Sequence, residues 1–315
     1  MGWGIRPAVA AGSGRHTTLL RGGLPMGLLA SVLLAVLTAC WAAPTPGDQP
    51  REDTRVQTKA LGPHLQIHIL DVGQGDAALL RFPPGRDVLI DAGRGAGVAE
   101  LLTELGVDTL ELVIASHNHA DHIGGMEAVL RQFPARYFMD NGVPHTTLTY
   151  RRMLETLREL KIPLLEPERR TIQVGEGRME ILPPPGEETL GHNDNSVGVM
   201  VEYGDFRASF AGDAEEYLWL HWLETFPEAL APVHLHKASH HGSRNGDILE
   251  ALQRLQPELV VISAGRDNQY GHPHPEALDR YVWAGAAVKV TTQSGTIHIR
   301  AFSDGTMKEV GTRPR

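Results

Sequence analysis

Three histidines and an aspartate fall within six residues in the run His117-Asn118-His119-Ala120-Asp121-His122. Imidazole and carboxylate are ligands for divalent cations of the zinc or manganese type, whereas a closed structural zinc site favours cysteines. The chain has one cysteine, Cys40, distant from this run. Four ligands this close suit two adjacent ions better than one. His117 and His119 alternate by two, so they point the same way if a preceding strand continues, and Asp121 and His122 fall on the turn after it. Further ligands occur downstream. Asp213 follows a strand and Gly212, where a two-oxygen carboxylate can bridge ions ~3.5–4 Å apart; its alternative use is as N-cap of the next helix. Of His240 and His241, one completes the second ion and the other stands behind it or meets substrate, and the sequence does not rank them. His192 is the candidate third ligand of the first ion, with Asn193, Asn195 or water as alternatives.

Two such ions lower the pKa of a bridging water towards ~7 and polarise an electrophilic oxygen. The expected chemistry is therefore hydrolysis by a metal-bridging hydroxide. Asp121 and Asp213 hold it, and His272 protonates the leaving group or contacts phosphate. Asp91 and Asp76 are candidate acceptors for ligand imidazoles, and Asp71 and Asp76 flank a turn built on Gly73 and Gly75. Asn195, Ser196, Ser243 and Arg244 are candidates for contacts to ligands or substrate. Lys237, Arg244 and Arg266 offer local positive charge for a phosphate. His68, His221, His234, His236 and His298 carry no motif and read as structural.

These residues need strands that end close together. Short apolar runs predict strands at Leu65–Leu70, Ala77–Phe82, Asp87–Ile90 and Leu110–Ala115, the last leading straight into the histidine run. Later strands are predicted at Met179–Leu182, Val197–Tyr203, Arg207–Ala211, Val233–Lys237, Leu259–Ser263, Ala287–Thr291 and Thr296–Ala301. Helical spacing marks Gly97–Leu105, Gly125–Phe133, Thr146–Leu160, Glu215–Glu224, Asp247–Leu255 and Pro275–Trp283. Ligands come from both halves, so residues 64–303 read as one domain of two sheets flanked by helices. Residues 304–315 read as a polar, frayed tail. Hydrophobic residues make up 42% and charged residues 21%, which excludes disorder. The net charge of -9 supplies no overall field to recruit a polyanion, so local cations or bound metal must attract one.

The N-terminus has a different texture. Arg6, Arg15 and Arg21 precede the apolar run Leu24–Ala39, which ends in Leu37-Thr38-Ala39-Cys40. The run is shorter than the ~20 residues of a comfortable span. Residues 1–39 read as a lipoprotein-type signal peptide, Cys40 as the lipidated first residue, and 40–63 as a flexible tether. This predicts an exported protein held to the membrane by a lipid on the extracytoplasmic side. The sequence points to no protein partner.

A family resemblance runs through these motifs in order. Asp71-Val72-Gly73-Gln74-Gly75-Asp76, Leu89-Ile90-Asp91-Ala92-Gly93, His117 to Gly125, Asn193 to Ser196, Ala211-Gly212-Asp213, His240 to Arg244 and Tyr270-Gly271-His272-Pro273 resemble the hydrolase domain of ComEC-type competence proteins. That domain is of the metallo-β-lactamase type, and the similarity spans about residues 65–299. The resemblance implies an α+β fold, specifically an αββα sandwich, with two metals, Zn²⁺ or Mn²⁺, and hydrolysis of phosphodiesters or nucleic acid. A metallohydrolase of another ester or amide, such as a lactone, β-lactam or phosphocholine ester, uses the same site. A non-catalytic metal-binding lipoprotein is the remaining alternative.

Overall fold

The computed structural model describes residues 62–187 and 189–311. The segments read as a signal peptide and, but for its last two residues, as a tether lie outside the described residues, with Cys40. Among the described residues no helix is long and apolar enough to cross a membrane.

The first sheet begins with β1 (Leu65–Ile69), β2 (Ala78–Phe82) and β3 (Arg86–Ile90), then α1 (Gly97–Glu104) leads to β4 (Leu112–Ile114). A short α2 (Ala120–Ile123) and α3 (Met126–Gln132) precede β5 (Phe138–Met139) and α4 (Leu148–Leu160). The chain then builds the second sheet from β6 (Arg170–Val174), β7 (Gly177–Leu182), β8 (Gly198–Tyr203), β9 (Phe206–Phe210), β10 (Leu235–Lys237), β11 (Leu259–Ile262) and β12 (Ala287–Val290). Helices α5 (Glu216–Thr225), α6 (Leu249–Leu255), α7 (Pro275–Trp283) and α8 (Thr291–Ser294) intervene or follow. Finally β13 (Ile297–Ala301) and β14 (Met307–Val310) return to the first sheet. The strand orders are β14-β13-β1-β2-β3-β4-β5 and β12-β11-β10-β9-β8-β7-β6.

Alternation along the strands sets the layers. Ile67, Leu80, Val88 and Ile114 face Met179, Ile181, Val199, Phe210 and Val261 in a core between the sheets. The opposite faces are also apolar. Leu79, Leu89 and Val113 pack under α1, α3 and α4, and Met200 packs under α5. Strands buried on both sides read as continuous hydrophobic runs, which is why their positions were visible. The result is the expected α+β sandwich, helices–sheet–sheet–helices.

Pairing is parallel from β3 to β5 and from β9 to β12. Ligands gather beyond the carboxyl ends of parallel strands, and the functional candidates sit there. Asp91 follows β3, Ser116 and His117 follow β4, Asp213 follows β9, and the 240–241 pair follows β10.

Three strands depart from expectation. β5 has two residues, too few for any period. β6 alternates polar and apolar on an edge. The segment read as a frayed tail supplies β14, whose Met307 and Lys308 pair with Ala301 and Arg300. A polar sequence forms this strand because it is an edge with little to bury.

On the outer face of the first sheet, His68 of β1 lies in register with His298 of β13, their Nδ1 atoms 2.6 Å apart. Burial, then His298 and Arg81, push the His68 pKa down to about 3. The unfolded chain takes up this proton near its ordinary pKa of about 6.5 and the folded chain does not, so the pair costs stability as pH falls from about 6.5 to 3. Denaturant melts of His68→Gln are expected to show a shallower stability loss over this window than the parent; equal slopes would exclude the effect.

Candidate metal centre

Asp213 occupies the middle of the site. Its backbone N–H donates to Ser196 Oγ at 3.1 Å. Gly212 at φ 55° brings it close: a Cβ there would lie 2.7 Å from the Ser116 Cβ and 2.9 Å from the Ser196 Oγ. The cap of α5 is a different residue, Asp194, whose Oδ1 accepts from the backbone N–H groups of Glu215 and Leu218. The Asp213 carboxylate is thereby left free to face the histidines.

Its two oxygens face different partners. Oδ1 lies 3.1 Å from His122 Nε2 and 3.6 Å from His241 Nε2, and Oδ2 lies 3.7 Å from His117 Nε2 and 3.8 Å from His240 Nε2. His241 Nε2 is also 3.6 Å from Asp121 Oδ2, and His119 Nδ1 is 3.0 Å from His117 Nε2. Asp213 Oδ1, His122 Nε2 and His241 Nε2 are buried and make no hydrogen bond. Buried polar atoms are otherwise paired, so an unpaired convergent set is costly unless a cation joins it. Neighbouring ligands on a tetrahedral zinc with bonds of ~2.0–2.1 Å stand about 3.3 Å apart, close to these spacings. The residues fit a divalent metal.

Behind the imidazoles stand carboxylates that orient them. Asp91, itself at φ 60°, holds His122 Nδ1 at 2.8 Å and accepts from the Ser116 N–H and hydroxyl. Asp76 Oδ1 lies 3.2 Å from His241 Nδ1, and its Oδ2 takes the Lys237 ammonium at 2.7 Å. Asp76 also falls within ligand distance of His122, beside Asp91. Asp91 bonds the His122 Nδ1, and His241 Nδ1 lies between the Ser263 carbonyl, which it meets at 3.2 Å, and the Asp76 carboxylate, so Nε2 is the inward atom of both rings. Against the penalty of burial, Asp213 and Asp91 raise the His122 pKa well above its ordinary value, and Asp213 and Asp76 raise His241 to about 9. The metal-free site therefore stores protons on its histidines, and cations must displace them.

The adjacent histidines do different things because both residues are left-handed, His240 at φ 47° and His241 at φ 56°. Such backbone is strained for non-glycine residues. The turn splays the rings: His241 points to the cluster, and His240 Nδ1 points to Glu215 at 2.9 Å. Beside His240, at 5.5 Å between ring centroids, lies His272, with Tyr270 stacked on it. Burial and the two neighbouring histidines push His272 down to about 4, so at neutral pH it is an uncharged imidazole.

His192 lies 5.4 Å from His119 by ring centroids, outside the tight cluster, and its Nδ1 is buried without a hydrogen bond. Four other candidates have partners within the protein. Asn195 donates its amide N–H groups to the Glu187 and Gly191 carbonyls, holding a loop, and its Oδ1 makes no hydrogen bond. Ser243 accepts from the Asn245 N–H within its own turn. Arg244 pairs with Glu276 on the surface. Lys237 is buried against Asp76 and unavailable to a phosphate. Ser196, by contrast, supports the site through Asp213. Asp71 forms its turn, accepting from the Gly73 N–H.

The sequence reading did not single out three contributors. Glu215 orients His240. Asp247 accepts from His236, Tyr281 and the Ser239 N–H beneath the histidine turn. His145, in the loop after β5, lies with its ring tilted 50° and 4.3 Å from that of His192. A glutamate in the sequence vicinity of Asp213 was the one available signal.

Comparison with known proteins agrees with this geometry. The family described as the metallo-beta-lactamase superfamily matches residues 70–266. The chain is 27% identical over 259 residues to ComE operon protein 3 of Bacillus subtilis, covering 75% of this chain and 33% of that protein. It is 28% identical over 250 residues to Recombination protein 2 of Haemophilus influenzae, covering 77% and 29%. The chain thus spans about a third of the length of these relatives. Among solved structures, the metallo-beta-lactamase fold protein YhfI from Bacillus subtilis aligns with a TM-score of 0.47 at 13% identity, covering 79% of this chain and 100% of that one. The chain belongs to the metallo-beta-lactamase superfamily and is a metal-dependent hydrolase.

Proposed function

We propose that the chain is a binuclear phosphodiesterase, acting on nucleic acid or a smaller phosphodiester. The observation that carries the two-metal reading is Asp213, whose oxygens face two separate nitrogen sets. His117, His119 and Asp213 Oδ2, with His192 nearby, would hold one ion. Asp121, His122, His241 and Asp213 Oδ1 would hold the other. The chemistry supplied by such ions when bound is a nucleophile from water at neutral pH and Lewis acidity at the phosphoryl oxygen. Asp91 and Asp76 fix the imidazole orientations. His240, steadied by Glu215, and neutral His272 line the mouth, where their N–H groups meet substrate oxygens. A relative named for recombination supports a nucleic-acid substrate. The net charge of -9 favours a short or small one, and with it other small esters as the second reading.

The test is metal analysis combined with a screen of bis-p-nitrophenyl phosphate, single-stranded DNA and nitrocefin. Two Zn²⁺ or Mn²⁺ ions per chain and turnover of the diester are expected, with loss on chelation and recovery on adding metal back. Nitrocefin turnover alone would replace the substrate class, and two bound metals without any turnover would leave a binding protein. Metal affinity should fall as pH drops below about 9, because protons reclaim His241.

We further propose that this activity is extracytoplasmic, since Leu37-Thr38-Ala39-Cys40 supports lipid anchoring. Unchanged membrane retention of Cys40→Ala in fractionated cells would exclude the anchor.

A further inference from the structure

His145 belongs to no motif and to no ligand group. It lies in the loop between β5 and α4, partly exposed, with its ring 4.3 Å from His192 and 5.9 Å from His119 by centroids. It therefore stands beside the first-ion histidines, while His240 and His272 group around His241.

Its hydrogen bonds point to the nitrogen that carries the proton. Thr147 caps α4, its hydroxyl accepting from the Tyr150 N–H. The Thr147 backbone N–H in turn donates to His145 Nδ1 at 3.2 Å, and the Thr147 hydroxyl lies 3.1 Å from the same nitrogen. A backbone N–H only donates, so Nδ1 must present its lone pair. A neutral imidazole then bears its hydrogen on Nε2, at the far edge of the ring from the helix start. Nε2 makes no hydrogen bond among the described residues and is absent from the buried unpaired atoms, so it is open to a ligand. A metal ligand needs a lone pair on its free nitrogen. Here the free nitrogen is a donor on a ring beside the first-ion histidines, which suits a contact to an anionic oxygen.

We propose that His145 is a substrate-contacting residue, a helix-cap-locked imidazole whose Nε2–H donates to a phosphoryl oxygen of the bound phosphodiester. This rests on the phosphodiesterase reading above.

The experiment uses the full, metal-loaded chain. Long-range ¹H–¹⁵N spectra, with His145 assigned by its loss in His145→Gln, should show the Nε2–H tautomer. Titration with dimethyl phosphate should shift its Nε2 resonance. The Nδ1–H tautomer, or a resonance that dimethyl phosphate leaves in place, would overturn the proposal. Against bis-p-nitrophenyl phosphate, His145→Ala should lose about 10–100-fold in kcat/KM, the scale of one hydrogen bond to a charged group. His145→Gln, which offers an amide N–H at similar reach, should recover part of that loss, and metal content should not change in either variant. Activity within about twofold of the parent in His145→Ala, a glutamine no better than alanine, or loss of metal would each refute the contact. If the unmutated protein hydrolyses no diester, the functional reading has failed, and the dimethyl phosphate titration still decides His145.

Discussion

Asp213→Asn is expected to lower kcat/KM by at least about 10³-fold, the scale set by losing a group on which the whole reacting centre depends. The substitution removes a charge and almost no volume. The backbone N–H bond to Ser196 and the tight approach at Gly212 are untouched, so the fold should survive. What disappears is the anion that four imidazole nitrogens face at 3.1–3.8 Å. Without it two cations would sit at close range with no shared counter-charge, and one or both sites should empty. Metal analysis beside steady-state kinetics reads this directly. A variant that keeps two metals and loses less than about tenfold in rate would remove Asp213 from the centre of the mechanism.

Lys237→Met is expected to cost about 3–5 kcal/mol of stability, the penalty for breaking a buried ion pair from one side. Lys237 is 4% exposed, and its ammonium donates to Asp76 at 2.7 Å and to the Ala238 carbonyl at 2.9 Å. Burial raises the Asp76 pKa, but Lys237 and then His241 outweigh it and hold the carboxyl ionised. Removing the lysine strands that charge; removing the charge as well does not. Asp76→Asn alone should also destabilise, and the double variant should lose clearly less than the sum of the two. In a domain of this size the single-variant loss corresponds to roughly 6–20 °C in Tm. Additive losses in the double-mutant cycle would show that the pair does not interact. The double variant isolates a second effect: with stability partly restored, His241 keeps its Nδ1 bond to the Ser263 carbonyl at 3.2 Å but lacks the Asp76 charge beside it, so metal affinity should remain weaker than in the parent.

The legible part of this protein was its contiguous part. His117 to His122 announces a metal because the ligands are neighbours in sequence, and Asp213 announces itself by following a strand and a glycine. The two-sided burial of β1–β4 and β8–β11 produced apolar runs that no helix period explains. Less visible was whatever depends on backbone conformation or a distant partner. The choice between His240 and His241 turns on two consecutive positive φ values, which no spacing reveals. Lys237 read as a phosphate contact because its Asp76 partner lies 161 residues away. That the Asn195 amide N–H groups hold a loop was not visible, because an asparagine looks the same whether its amide faces a ligand or a loop carbonyl. His145 lacked a motif, and its meaning lies in a threonine two residues on, at the start of a helix.

The return of β13 and β14 to the first sheet has a bearing on when this enzyme becomes active. β1 sits between β13 and β2, so the opening strand of the domain waits for one made near the end, with His68 and His298 separated by 230 residues. A chain emerging from the ribosome offers β1 an unfilled edge throughout synthesis, and pairings of such separation close late. The sheet carrying His117 to His122 is therefore completed after translation of its own ligands. Until residues 297–310 arrive, the nascent chain is an incomplete sandwich whose first strand has one edge unpaired.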